Sequence, residues 1–129
     1  IGGDDDQPLE ARDRRRERSL TGAFERATGN DPYALPASWL NSKDRLNLKT
    51  HFNHSSTHDI IGGNSGSPMI NRQGEVVGLV FDGNIHSLSG AYWYDKVLNR
   101  AVSVNSAGML EALDKIYGAK ALAGELRGL

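Results

Sequence analysis

The run Gly63-Asn64-Ser65-Gly66-Ser67-Pro68 constrains this chain more than any other feature. It has the form G-x-S-G-x-P, a tight turn with a serine at its centre. A nucleophilic serine needs a loop that presents its hydroxyl, and backbone N–H groups free to face a developing oxyanion. Glycine on both sides of Asn64-Ser65 permits backbone conformations that a Cβ forbids. Pro68 fixes φ where a strand is expected to begin. Ser65 is therefore a candidate nucleophile, and the N–H groups of Gly63 and Ser65 are candidates for an oxyanion hole. The hydrolase elbow G-x-S-x-G fits less well, because Ser67 stands where its second glycine belongs. A plain glycine-rich turn is the structural alternative, and the six residues alone leave both open.

The flanking sequence adds context. Met69-Ile70 and Gly78-Leu79-Val80-Phe81 enclose the polar run Asn71-Arg72-Gln73-Gly74, which is the pattern of a hairpin. A nucleophile loop feeding a hairpin is how the second barrel of trypsin-like enzymes is built. From about Leu46 to Val104 the chain reads as β-rich, with weak alternation over Thr50–Thr57 and strands over Glu75–Phe81 and Ala101–Val104. Helices are expected around this segment. Leu9–Ala27 is helix-permissive and very polar, after an acidic lead over residues 1–8. The breaker Gly29-Asn30-Asp31-Pro32-Tyr33 follows, then a short helix starting near Pro36. Asn105 or Ser106 should cap a helix over Ala107–Tyr117, whose Met109, Leu110, Leu113, Ile116 and Tyr117 share one face. Gly118 should end it, and Ala119–Leu126 reads as a last short helix. The expected fold is mainly β with flanking helices, in two parts: a polar, arginine-rich lead over 1–32 and the remainder over 33–129.

Composition narrows the function classes. The 129 residues hold one domain or part of a larger one. With 15 basic and 16 acidic residues there is no field that argues for nucleic acid or a membrane surface. Arg12, Arg14, Arg15, Arg16 and Arg18 read as a solvated helix face with local ion pairs. No apolar run approaches the ~20 residues of a membrane span, and no cysteine is present to build a disulfide framework. The chain begins with Ile1 and carries no visible signal peptide, which suggests a processed chain or a fragment whose parent could carry one upstream. His51, His54 and His58 with Asp59 are spaced almost as on a metal-binding helix, but their Ser/Thr-rich surroundings argue for a polar strand and loop. No metal or cofactor is expected.

Over Tyr33 to Leu126 the chain resembles the bacterial dipeptidyl-peptidase 7 and 11 family of serine exopeptidases, in the C-terminal part of that family. The residues that carry the resemblance are Leu35-Pro36, Trp39-Leu40, Asn47-Leu48 and Ser56-Thr57. They continue with Asp59-Ile60-Ile61-Gly62-Gly63-Asn64-Ser65-Gly66-Ser67-Pro68, Gly74-Glu75-Val76-Val77-Gly78-Leu79, Phe81-Asp82-Gly83-Asn84 and Arg100-Ala101-Val102-Ser103-Val104. Residues 1–32 carry little of it. The resemblance implies the C-terminal barrel portion of a trypsin-like double β-barrel, followed by C-terminal helices. It implies release of dipeptides from the free N-terminus of peptides, in the periplasm or outside the cell. By position, Ser65 would be the nucleophile, Asp82 would bind the substrate's α-ammonium and Gly83 would floor the specificity pocket.

Each role has a physical reading. An exopeptidase must count two residues from a charged amine, and a carboxylate at fixed distance from the nucleophile does so. Asp82-Gly83 is also a common turn pair, so the residues alone leave that role open. The family's acid-preferring members carry arginine where Gly83 stands. Glycine implies an uncharged, roomier pocket for an apolar or aromatic second residue, or only a turn.

A serine nucleophile also needs a histidine base and an orienting aspartate. The resemblance puts both in an N-terminal half outside this chain. Of the local histidines, His51, His54, His58 and His86, the last is the least implausible substitute. Ile1-Gly2-Gly3 looks like the activated terminus of trypsin-like enzymes, but its usual aspartate partner is here the neutral Asn64. The chain alone is thus expected to be inactive, the serine-bearing part of a dipeptidyl aminopeptidase. A non-catalytic peptide-binding module of the same fold, and a hydrolase completed by a partner chain or homodimer, are the alternatives.

Overall fold

The computed structural model describes residues 18–128. The acidic lead, the Ile1-Gly2-Gly3 terminus, and Arg12, Arg14, Arg15 and Arg16 lie outside the described residues, as does the first part of the expected Leu9–Ala27 helix. The chain divides into two compact units, one of Phe52–Met109 and one of the residues up to His51 with Leu110–Leu129.

The unit Phe52–Met109 is built on an antiparallel sheet. Its strands are β1 (Asn53–Ser56), β2 (Pro68–Ile70), β3 (Val76–Gly83) and β4 (Ala101–Asn105), in the order β1-β4-β3-β2. The β2–β3 hairpin is where the sequence predicts it. Asn71 makes the turn: its Oδ1 accepts from the N–H groups of Gln73 and Glu75, each at 3.0 Å, and its own N–H donates to the Glu75 carbonyl at 3.0 Å. Such Asx bonds satisfy the backbone inside a turn and make the polar run between two apolar ones a reliable signal.

Strand β3 runs further than the alternation predicts. It continues through Asp82 and Gly83, which pair with Val102 and Ala101 of β4. The turn-pair reading of Asp82-Gly83 is thereby corrected, because ladder bonds to β4 outweigh the local turn preference. The ladder also skips a residue: Val80 pairs with Ser103 and Asp82 with Val102, leaving Phe81 as the extra residue of a bulge. A regular strand would put Val80 and Asp82 on one face. The bulge turns Asp82 to the face opposite buried Val80 and Ser103.

The buried apolar side chains of this unit are Met69, Val80 and Ala101, with Ser103 fully buried among the polar ones. His54 packs into the same layer. A Cβ on Gly78 would stand 2.6 Å from His54 Cε1 and 2.6 Å from the Val104 carbonyl oxygen, so only glycine fits between imidazole and strand. The imidazole has Met69 Sδ 3.2 Å from Nε2 and Asn105 Nδ2 3.2 Å from Nδ1. Asn105 Oδ1 is committed to the Ala107 N–H at 2.9 Å, which turns its amide N–H toward His54. The ring then accepts at Nδ1 and carries its proton on Nε2 against the thioether.

Asn105 thus also caps helix α3 (Ser106–Lys115), one of the two caps the sequence offers. Ile116 and Tyr117 fall beyond the helix, although the apolar spacing counts them in. Both N–H groups fold back on the Ala112 carbonyl and Ala119 reaches Leu113 at 2.7 Å, a tightening that Gly118, with φ +67°, completes.

In the other unit, α1 (Leu20–Glu25) is held by bonds from the Leu20 and Thr21 N–H groups to the Thr50 and Leu48 carbonyls. Helix α2 (Ala37–Leu40) follows Pro36, as expected, and Lys43–Arg45 make a 3-10 turn. Helix α4 (Lys120–Leu126) closes the chain. Leu20, Leu46 and Ala123 are buried here, and Phe24 lies 6.4 Å from Trp39 between ring centroids. Burying one leucine of this kind contributes about 2 kcal/mol. Among the described residues no helix is long and apolar enough to cross a membrane.

Candidate active site

The serine loop is tied down at both ends and free in the middle. Asn64 Oδ1 accepts from the Ile61 N–H at 2.9 Å, and the Asn64 N–H donates back to the Ile61 carbonyl at 3.2 Å. The Ser67 N–H donates to the Asn64 carbonyl at 2.9 Å. The Gly66 N–H reaches the Val80 carbonyl at 2.7 Å and the Val80 N–H the Ser67 carbonyl at 3.0 Å, so β3 anchors the loop. Gly63 and Gly66 have φ of +101° and +86°, a region that side-chain-bearing residues avoid. Among the described residues, the N–H groups of Gly63 and Ser65 donate no hydrogen bond. These are the two donors an oxyanion hole would use. Asn64 serves the loop itself, through Ile61.

Ser65, Asp82 and Gly83 come together around one pocket of about 250 Å³, whose lining includes Ile60, Ser87 and Leu88. Gly63 sits in the loop between the lining residues Gly62 and Asn64. Asp82 is exposed, and its Oδ1 accepts the Gly83 N–H at 2.8 Å, which leaves the other carboxylate oxygen for a ligand. Gly83 is crowded. A Cβ there would stand 2.2 Å from Ser87 Oγ and 3.2 Å from Ser87 Cβ. The space that a side chain at residue 83 would take is occupied by Ser87.

The histidines go elsewhere. His54 is engaged by Met69 and Asn105 in the sheet layer, and His58 Nδ1 lies 2.9 Å from Ser56 Oγ. His51 bridges to Ser19 in the other unit, and exposed His86 sits on the 3-10 segment Ile85–Ser89. None is brought to the Ser65 hydroxyl by a hydrogen bond. His51, His54, His58 and Asp59 do not converge, and among the described residues no three histidine, cysteine or acidic side chains form a metal-sized group.

Ser87 of the pocket lining, and the side-chain bonds of Asn84 that hold it, escape sequence reasoning. Asn84 Nδ2 donates to the Leu98 carbonyl at 2.7 Å, and Asn84 Oδ1 accepts the Arg100 N–H at 3.1 Å. Ser87 Oγ donates to the Asn84 carbonyl at 2.6 Å. The one local signal is an asparagine ahead of a helical turn, a usual cap; here its side chain bonds across the chain instead, to partners that no short window reveals.

The family model described as peptidase S46 matches residues 10–128. The dipeptidyl-peptidase 7 of Capnocytophaga gingivalis is 42% identical over 106 residues, covering 76% of this chain and 15% of the relative. That of Phocaeicola vulgatus is 48% identical over 71 residues, covering 55% and 10%. The Asp/Glu-specific dipeptidyl-peptidase of Shewanella putrefaciens is 39% identical over 74 residues, covering 57% and 10%. Among solved structures, Porphyromonas endodontalis DPP11 in complex with the dipeptide Arg-Glu matches with a TM-score of 0.75 at 26% identity, over 84% of this chain and 17% of that one. The chain thus spans a sixth or less of the length of these curated relatives. It belongs to the peptidase S46 family.

Proposed function

We propose that this peptidase S46 segment is the nucleophile-bearing part of a dipeptidyl aminopeptidase, with Ser65 as nucleophile. The observation that carries the reading is the shared pocket of Ser65, Asp82 and Gly83 beside two undonated backbone N–H groups. Ser65 Oγ attacks the second peptide carbonyl of the substrate. Its proton passes through a base to the leaving amine, and the shortened peptide departs. The N–H groups of Gly63 and Ser65 hold the oxyanion, and water then releases the dipeptide. Asp82 pairs with the substrate's α-ammonium and sets the distance of two residues. The pocket at Gly83 takes an apolar or aromatic second residue.

The base and its aspartate come from the remainder of the parent polypeptide. His54 is engaged by Met69 and Asn105 and His58 by Ser56, which supports that division of labour. The antiparallel sheet with its serine loop ahead of a hairpin is read as part of the C-terminal barrel of a trypsin-like double barrel. Exposed apolar side chains support a missing neighbour: Leu88 is 79% and Tyr92 95% exposed, with Ile85, Trp93 and Val97 also open. The parent's place is the periplasm or the outside of the cell, a reading that rests on the resemblance.

The test is hydrolysis of a fluorogenic dipeptidyl substrate, with free and blocked α-amine, by the full-length parent, its Ser65→Ala variant and this chain alone. The parent should act only on the free amine, and Ser65→Ala should lower kcat by about a millionfold. The chain alone should be inactive. Undiminished hydrolysis by Ser65→Ala would remove the nucleophile assignment; peptide binding without hydrolysis by the parent would replace catalysis with recognition.

A further inference from the structure

Ser87 stands where a side chain on residue 83 would stand. An ideal Cβ at Gly83 would be 2.2 Å from its Oγ, 3.2 Å from its Cβ and 3.5 Å from the Arg100 carbonyl oxygen. Gly83 and Ser87 line the same pocket as Ser65 and Asp82. The two positions therefore share one volume, and only one can fill it.

Ser87 is held in place. Its Oγ and its N–H both donate to the Asn84 carbonyl, at 2.6 Å and 2.9 Å. Asn84 is fixed in turn by its side-chain bonds to Leu98 and Arg100 and by its own N–H to the Arg100 carbonyl at 2.9 Å. The Ser87 carbonyl accepts the Gly90 N–H at 2.9 Å, which secures the turn from below. With its proton committed to Asn84, the hydroxyl has only acceptor capacity left for the pocket. Rotating Ser87 aside to admit a larger residue 83 breaks this bond.

We propose that Ser87 is a specificity-determining residue of the pocket, setting its depth for the second side chain of the substrate through the space it takes over Gly83. The proposal rests on the peptidase reading above and deepens it. A hydroxyl in that place fills the floor without charge and leaves a short recess lined on one side by Leu88. Pockets of this kind discriminate by one or two carbon atoms, so a change of that size at Ser87 shifts preference by about tenfold or more.

The experiment is a double-mutant cycle in the full-length parent, reading kcat/KM for dipeptidyl substrates whose second residue is alanine, leucine or phenylalanine. Ser87→Gly should raise the phenylalanine-to-alanine ratio about tenfold, and Ser87→Ala should raise it less. Gly83→Ala should lower kcat/KM on every substrate, and Gly83→Ala with Ser87→Gly should recover most of that loss. Ser87→Ala keeps the backbone and its Cβ, so it serves if Ser87→Gly does not fold. Additive losses with an unchanged substrate ratio in active enzyme would overturn the assignment and leave Ser87 a turn residue only. A parent without Ser65-dependent hydrolysis would overturn the peptidase reading, and the assignment with it.

Discussion

The serine loop and the segment from Asn84 to Leu98 flank the same pocket but are built on opposite plans. The loop Ile61–Ser67 closes on itself and on β3 through short backbone bonds, with glycines at the two strained positions. Its shape is a local property of a few residues. The Asn84–Leu98 segment is a 3-10 turn followed by irregular chain, held at Asn84, by the Tyr92 and Trp93 N–H groups on the Ser89 carbonyl, by the Tyr94 hydroxyl on the Thr57 carbonyl, and by Asp95, whose Oδ1 accepts the Val97 and Leu98 N–H groups. Between these pins it exposes aromatic and aliphatic side chains. The difference teaches which part of such a site is shaped by its own short bonds and which part leaves large apolar side chains exposed. A reacting group must be held to a fraction of an ångström, and a local hydrogen-bonded loop does that without a large core.

The contrast can be broken first at the sheet that anchors the loop. Gly78→Val drives a side chain against the Val104 carbonyl and the His54 ring. It should cost about 3 kcal/mol, and chemical denaturation of the parent would read it as a lowered midpoint with unchanged slope. A wild-type midpoint would mean that the loop does not depend on this layer. Next in size is Asp82→Asn, which should lose about a hundredfold in kcat/KM on free-amine substrates and narrow the gap to blocked ones. That corresponds to one charge-assisted bond lost to an ammonium, about 2–3 kcal/mol. Equal activity on both substrate types in wild type would already remove the amine-counting role. The smallest effect is expected in the open segment. Tyr92→Ser with Trp93→Ser should change the stability of the isolated chain by no more than about 0.5 kcal/mol. Any self-association of the chain in sedimentation should fall, because Tyr92 and Trp93, 95% and 71% exposed, are among the large apolar side chains it presents. Unchanged association would show that the exposed rings are not its cause.

The same contrast explains what was legible. The hairpin could be read because Asn71 and Gly74 put their chemistry where the chain turns. The serine loop could be read because its glycines are adjacent to the residue they serve. Helix α3 was found with its cap and overrun by two residues, since apolar spacing continues past the point where the backbone folds back on Ala112. The length of β3 was not legible, because Asp82-Gly83 prefers a turn locally and is held in the ladder by Val102 and Ala101. The contacts of Asn84 and Ser87 were not legible for a related reason: they are made to a carbonyl and an N–H at Leu98 and Arg100, and to the space that a Cβ at Gly83 would take. The histidine spacing taken alone resembles a metal-binding helix; the Ser/Thr-rich surroundings point instead to strand and loop, and His54 lies in β1.

The unpaired Phe81 has a consequence for comparing sequences. Along a regular strand each residue's neighbour belongs to the other face, so an aromatic ring and a carboxylate at consecutive positions are separated by the sheet. At Phe81-Asp82 they form a doublet over the single partner Val102. An alignment gap at 81 heals the ladder and still leaves Asp82 opposite Val102. A gap at 102 takes away the partner itself and hands the carboxylate to a neighbour on the buried side. Correspondence between relatives along this strand therefore has to be counted in rungs, not in residues.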